Sequence, residues 1–312
     1  MQSRHAKEVL LIALGGNALI RKGQRGTVEE QFQNLKAPMR QIACLSREYS
    51  IIITHGNGPQ VGHLLLQQEC CEQGPKLPLE ILVAQTQGQL GYMIESTLDS
   101  ELMALGINTE QFLVSLLSYV VVSEDDPAFR EPLKPIGPTF SEEQAFRLPY
   151  PTRATAKGFR RVVASPRPVT IVERREIKRL LEAGFIVICC GGGGIPVIRE
   201  GRAFQGVDAV IDKDLASAKL AEEVGVSVLI IATDVPGAAL RYGTGEPEYL
   251  RRVTVAEAER HMREGQFPAG SMGPKIEAVV QFIKAGGDRA VITSVEAIEA
   301  AVKGDAGTEI VR

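Results

Sequence analysis

Val9-Leu10-Leu11-Ile12-Ala13-Leu14-Gly15-Gly16-Asn17-Ala18 is an apolar run that stops at two glycines. It is short, rich in branched residues and free of alternation, which predicts a strand buried on both faces. The construction returns twice. Residues 50–54 lead into His55-Gly56-Asn57-Gly58-Pro59-Gln60, and residues 185–190 lead into Gly191-Gly192-Gly193-Gly194. Apolar runs at 112–122, 226–233 and 290–293 read as strands as well. Between the runs, residues 28–48, 80–105, 171–183, 215–224 and 274–285 carry apolar residues at helical spacing. In the last of these, Ile276, Val279, Val280 and Ile283 fall on one face, and Lys275, Glu277 and Lys284 point elsewhere. Strands alternating with helices predict parallel strands covered on both faces, an open, doubly wound α/β fold.

Composition narrows the function. The chain has 312 residues, 44% of them hydrophobic and 23% charged, enough for one large core or two moderate ones. Lys and Arg number 35 against 38 Asp and Glu, and this formal charge of -3 lacks the basic excess that a nucleic-acid partner requires. No apolar run approaches the roughly 18 residues needed to span a bilayer, so no membrane partner is expected. The N-terminal stretch has no long apolar region followed by a small-residue cleavage site, which predicts a cytoplasmic protein. Of five cysteines, four form the adjacent pairs Cys70-Cys71 and Cys189-Cys190, a spacing unlike a zinc site or a disulfide framework. Buried thiols are expected. Residues 127–168 hold eight of the 17 prolines, so this segment is excluded from the regular sheet and read as a small inserted subdomain.

The glycine clusters follow strand ends, where open α/β sheets bind ligands. Glycine lets backbone approach an anion, and the amides of the next helix start point at it. The usual nucleotide signatures are absent, however. No Gly-Lys dipeptide occurs, so there is no Walker loop, and Pro196 stands where a G-x-G-x-x-G reading of residues 191–196 would need glycine. Protein-kinase signatures are missing too. Positive charge must therefore come from lysines. Lys213 precedes one helical stretch, and Lys275 follows Pro274, which suits the first position of another. An ammonium at a helix start opposes the dipole, so Lys275 fits an anion better than it fits its helix. Asp212 and Asp214 are candidates for capping the helix after them.

Taken in order, six segments resemble the motifs of the carbamate kinases, a branch of the amino acid kinase superfamily. They are Leu14-Gly15-Gly16-Asn17-Ala18, His55-Gly56-Asn57-Gly58-Pro59-Gln60-Val61-Gly62, Lys134-Pro135-Ile136-Gly137-Pro138, Cys190-Gly191-Gly192-Gly193-Gly194-Ile195-Pro196-Val197, Ala209-Val210-Ile211-Asp212-Lys213-Asp214 and Gly270-Ser271-Met272-Gly273-Pro274-Lys275-Ile276-Glu277-Ala278. The resemblance implies a three-layer αβα sandwich around a mainly parallel sheet. It implies an acceptor lobe over residues 1–184, with a protruding subdomain at about 123–168, and a nucleotide lobe over 185–312. It also implies reversible transfer between ATP plus carbamate and ADP plus carbamoyl phosphate, used in arginine breakdown to form ATP. Mg2+ accompanies the nucleotide, held mainly by its phosphates and with no protein metal ligands, and the implied assembly is a homodimer.

By the same resemblance, Gly15, Gly16, Asn17, Gly56, Asn57 and Gly58 hold carbamate and the transferred phosphoryl group. Lys134 reaches in from the subdomain. Lys213 and Lys275 lie along the ATP phosphates, and Asp214 orients both. Gly191, Gly192, Gly193, Thr233, Asp234, Met272 and the turn from Tyr242 to residue 245 border the nucleotide. His55 supports its loop instead of acting as a base, since carbamate is already an anion. The chain departs from the family at residues 154–161, where an acidic-Gly-Arg-Gly-aromatic-Arg stretch is usual, and at Pro236. A related acyl-phosphate kinase and a non-catalytic ligand sensor are the alternative readings.

Overall fold

The computed structural model describes residues 7–70, 73–155, 158–242, 246–268 and 270–312; Cys71, residues 156–157 and 243–245, and the side chain of Asn17 lie outside the described set. The chain opens with β1 (Val9–Leu14), α1 (Val28–Leu45), β2 (Ser50–His55), α2 (Gly58–Cys70) and α3 (Leu79–Ala104). There follow β3 (Phe112–Ser115), β4 (Tyr119–Val121), α4 (Pro127–Arg130), β5 (Lys134–Phe140), α5 (Glu142–Phe146), β6 (Thr152–Thr155), β7 (Gly158–Val163) and β8 (Thr170–Ile171). Next come α6 (Arg174–Glu182), β9 (Phe185–Ile188), β10 (Ile195–Glu200), β11 (Ala203–Gly206), α7 (Lys213–Val224) and β12 (Val228–Thr233). The last elements are β13 (Ala239–Leu240), β14 (Glu248–Tyr249), β15 (Arg252–Thr254), α8 (Val255–Arg263), α9 (Met272–Lys284), β16 (Arg289–Ser294), α10 (Ile298–Lys303) and β17 (Thr308–Val311).

Eight strands form the central sheet in the order β15-β17-β16-β12-β1-β2-β9-β3. All its pairings are parallel except β16 with β17. Alternation along β1 sorts its side chains into two cores. Leu11 and Ala13 join Ile177 of α6, Ala216 and Leu220 of α7 and Ile276 of α9. Leu10, Ile12 and Leu14 face the other way, toward Leu35 and Met39 of α1, Leu90 of α3 and Ile298 of α10. The result is the expected three-layer αβα sandwich. Among the described residues, no helix is long and apolar enough to cross a membrane.

The proline-rich segment stays out of this sheet. β5, β7 and β6 make a separate antiparallel sheet of three strands. It is seated on α2, with Ile136 among Val61 and Leu65.

Three readings need correction. Residues 112–122 form two strands in different sheets. Buried Gln87 of α3 accepts from Ser118 N at 2.8 Å and donates to its carbonyl at 3.2 Å, and this turns the chain away after Ser115. Pro274 is the third residue of α9, which Met272 opens. The first turn has no intrahelical acceptors for its N–H groups, so proline there forfeits no helix bond. Cys70 is exposed, whereas Cys189 and Cys190 are buried. Cys70 ends α2, beyond the buried face made by Gln60, Val61 and Leu65.

Candidate active site

Because β1, β2 and β9 are neighbours, their glycine loops leave the sheet side by side at its carboxyl edge. The loops are tied to the sheet and to each other. Gly15 N donates to Ala232 O at 2.8 Å, and Gly56 N to Leu14 O at 3.0 Å. Gly192 has φ of 67°, and a Cβ there would lie 2.1 Å from Asn57 Nδ2, so glycine alone fits. Asn57 is itself fixed from α3, donating to Thr86 Oγ1 at 2.9 Å. His55 Nδ1 faces Gly56 O at 3.1 Å. Burial holds its pKa down to about 4, against an opposing pull from the Gly56 carbonyl. A neutral, enclosed imidazole bonded to its own loop is a support.

The lysines assemble around the start of α7. Asp212 caps that helix, accepting from Asp214 N at 3.0 Å. Its other oxygen accepts, at 3.0 Å, from Lys134 Nζ, which reaches over from the three-stranded sheet. Asp214 does not cap. One of its oxygens accepts from Lys213 Nζ, and the other from Lys275 Nζ at 2.9 Å. It is 2% exposed. Burial alone would raise its pKa, but Lys213 and Lys275 win and hold it at about 2. Burial pulls both ammonium groups toward neutrality. Lys213, which also feels Lys275, ends below the ordinary lysine value, and Lys275 ends above it through Asp214, Asp212 and Asp234.

These groups share a cavity of about 630 Å³. Its lining brings together Gly16, Gly56, Asn57, Gly58, Gly192, Lys134, Lys213, Asp214 and Lys275 from the residues read off the sequence. The other candidates stand back from it. Gly15, Gly191 and Gly193 are buried behind the lining, Met272 opens α9, and Tyr242 is exposed. Thr233 ends β12 and donates to Asp234 Oδ1 at 3.1 Å. Two residues were missed. Asp212 reads in sequence as a cap and nothing more, and Arg160 of β7 lines the cavity while donating twice to Gly137 O, at 3.2 and 2.9 Å. Arg160 could be suspected only from its place in the segment that departs from the family pattern.

Chemically, this is a cationic pocket with glycine loops on one wall, and His63 and Ser271 also stand on its lining. Such a site acts by positioning and by stabilising charge that develops on oxygen. Among the described residues, no three His, Cys, Asp or Glu side chains are grouped to hold a metal. Asp212 and Asp214 are both committed to lysines.

The amino acid kinase family model matches residues 8–294. Carbamate kinase of Thermococcus kodakarensis is 47% identical, over 97% of this chain and 99% of its own length. That of Pyrococcus horikoshii is also 47% identical, with the same coverage. The structure of carbamate kinase from Giardia lamblia bound to AMP-PNP superposes with a TM-score of 0.92 at 37% identity, covering 98% of this chain and 99% of that one. The match runs the length of the fold and through every loop that lines the cavity: the chain belongs to the amino acid kinase family, among its carbamate kinases.

Proposed function

We propose that the chain catalyses reversible phosphoryl transfer between ATP and carbamate, giving ADP and carbamoyl phosphate. The observation that carries this is the Asp214 carboxylate holding Lys213 and Lys275 together on one wall, with Lys134 facing them from the subdomain. The glycine loops supply the acceptor wall. The start of α2 at Gly58 adds the positive end of a 13-residue helix, which favours a small anion there. Lys213 and Lys275 take the phosphates of the nucleotide, while Lys134 meets the transferred group from the acceptor side. Carbamate arrives ionised, so the chain has no proton to remove, and its work is to align the two oxygens and spread charge.

The nucleotide's outer edge is assigned to Gly191, Gly193, Thr233, Asp234 and Tyr242, in keeping with their places at or after the ends of β9, β12 and β13, and to Met272 at the start of α9. A divalent ion would travel with the nucleotide's phosphates, since the cavity's carboxylates are taken. A second copy of the chain is the proposed partner. Strand β3 ends the sheet, where Phe112 is exposed, and Leu117 and Tyr119 are exposed where the chain passes from β3 into β4.

The test is ATP formation from ADP and carbamoyl phosphate. Lys213→Ala and Lys275→Ala are each expected to lower turnover about a hundredfold or more, as the loss of a preorganised charge contact does. Near-normal turnover in both variants would overturn the mechanism.

A further inference from the structure

Lys134 sits at the start of β5, in the small antiparallel sheet outside the central one, yet its ammonium must be placed to within a fraction of an ångström. Asp212 fixes the tip of the side chain. What fixes its backbone is visible one strand away. Lys134 pairs with Val163 of β7, and two residues along, Ile136 pairs with Arg161.

The adjacent arginines of β7 point to opposite faces, as strand geometry requires. Arg160 turns inward to Gly137 O. Arg161 turns to the other face, and its Nη2 donates to both oxygens of Asp208, at 2.9 and 2.7 Å. Its guanidinium lies 4.7 Å from the centre of the Tyr150 ring. Its Nε is buried with no partner, so Asp208 and the ring are what hold this cation.

Asp208 lies four positions before Asp212 on the segment leading into α7. That segment is stitched to the end of β7 by the Ala164 and Ala209 bridge and by Val210 N donating to Ala164 O at 3.0 Å. The two ion pairs, Arg161 with Asp208 and Lys134 with Asp212, therefore join the same pair of strands to the same segment.

We infer that Arg161 and Asp208 form a clamp that positions Lys134 over the cavity. Neither residue lines it. They act through the β5–β7 pairing, fixing these strands relative to the segment that carries Asp212, Lys213 and Asp214. The role rests on Lys134 acting on the transferred group. Residues of this kind set kcat and leave nucleotide affinity alone.

Asp208→Asn is the first test, because Asp208 is exposed and its replacement spares the core. In the ATP-forming assay, kcat is expected to fall about tenfold, with KM for ADP within about twofold of the parent. In a Lys134→Met background, the same change is expected to have no further effect on kcat. Exchanging the charges, with Arg161→Asp and Asp208→Arg together, is expected to recover part of the loss. Hydrogen exchange at the Lys134 and Ile136 amides, which needs no turnover, is expected to quicken in Asp208→Asn.

Unchanged exchange overturns the clamp whether or not the protein is active. Faster exchange with unchanged kcat, or full additivity with Lys134→Met, overturns the positioning role. A parent protein that makes no ATP, yet shows faster exchange in the variant, sinks the kinase reading and keeps the clamp.

Discussion

A carboxylate as enclosed as Asp214 survives ionised only because two ammonium groups meet it. The triad leaves Lys213 as its weakest member, because it is the more buried of the two lysines and has Lys275 for a neighbour. Its charge is therefore lost at lower pH than that of an ordinary lysine. The ammonium is the active form, so turnover should decline as pH rises through this lowered value, ahead of the usual lysine range. A kcat profile against pH checks this, and Lys213→Arg, which stays charged, should lack that limb. Lys213 and Lys275 are legible in the sequence because each opens or precedes a helical stretch, whereas the role of Asp214 is implied only by the family resemblance, its own position reading as a cap. The second duty of Asp212 was not legible. A cap and an ion-pair partner are the same residue type, and the lysine it binds is 78 positions away.

At the level of elements, legibility followed burial. β1 matches its predicted span because it is apolar on both faces and ends at glycine. The break within 112–122 was illegible, since its cause is the pair of hydrogen bonds between Ser118 and Gln87 and not a local breaker. The turn Gly191–Gly193 shows the same dependence on a distant partner. Glycine there was legible, but the reason for it was not. Gly192→Ala combines a left-handed backbone with a clash against Asn57, and it should cost about 1–3 kcal/mol in stability as well as much of the turnover. Denaturant unfolding beside an ATP-forming assay checks both. Gly58→Ala, with open space around its Cβ, is the matched control for stability.

For the molecule as a whole, one buried histidine ties stability to pH. Burial lowers the pKa of His55 from 6.5 to about 4 in the folded chain. The neutral ring is the folded form, so its contribution is complete above about 6.5 and is lost as pH falls toward 4. The loss is on the order of 3 kcal/mol. Unfolding free energies measured from neutral pH to about pH 4 should show that drop in the parent, and His55→Gln should flatten it.

The strand order also sets how this protein must be made. β1 and β2 are synthesised first, but the other edge of β1 belongs to β12 and the other edge of β2 to β9. Both edges of that apolar ribbon stay open until residues 185–188 and 228–233 have left the ribosome. At roughly 5–20 residues per second, that wait is on the order of ten seconds or more. The nascent first half is thus the aggregation-prone stage in the life of this chain, and a chaperone that shields paired strand edges should raise its yield more than one that acts on the finished fold.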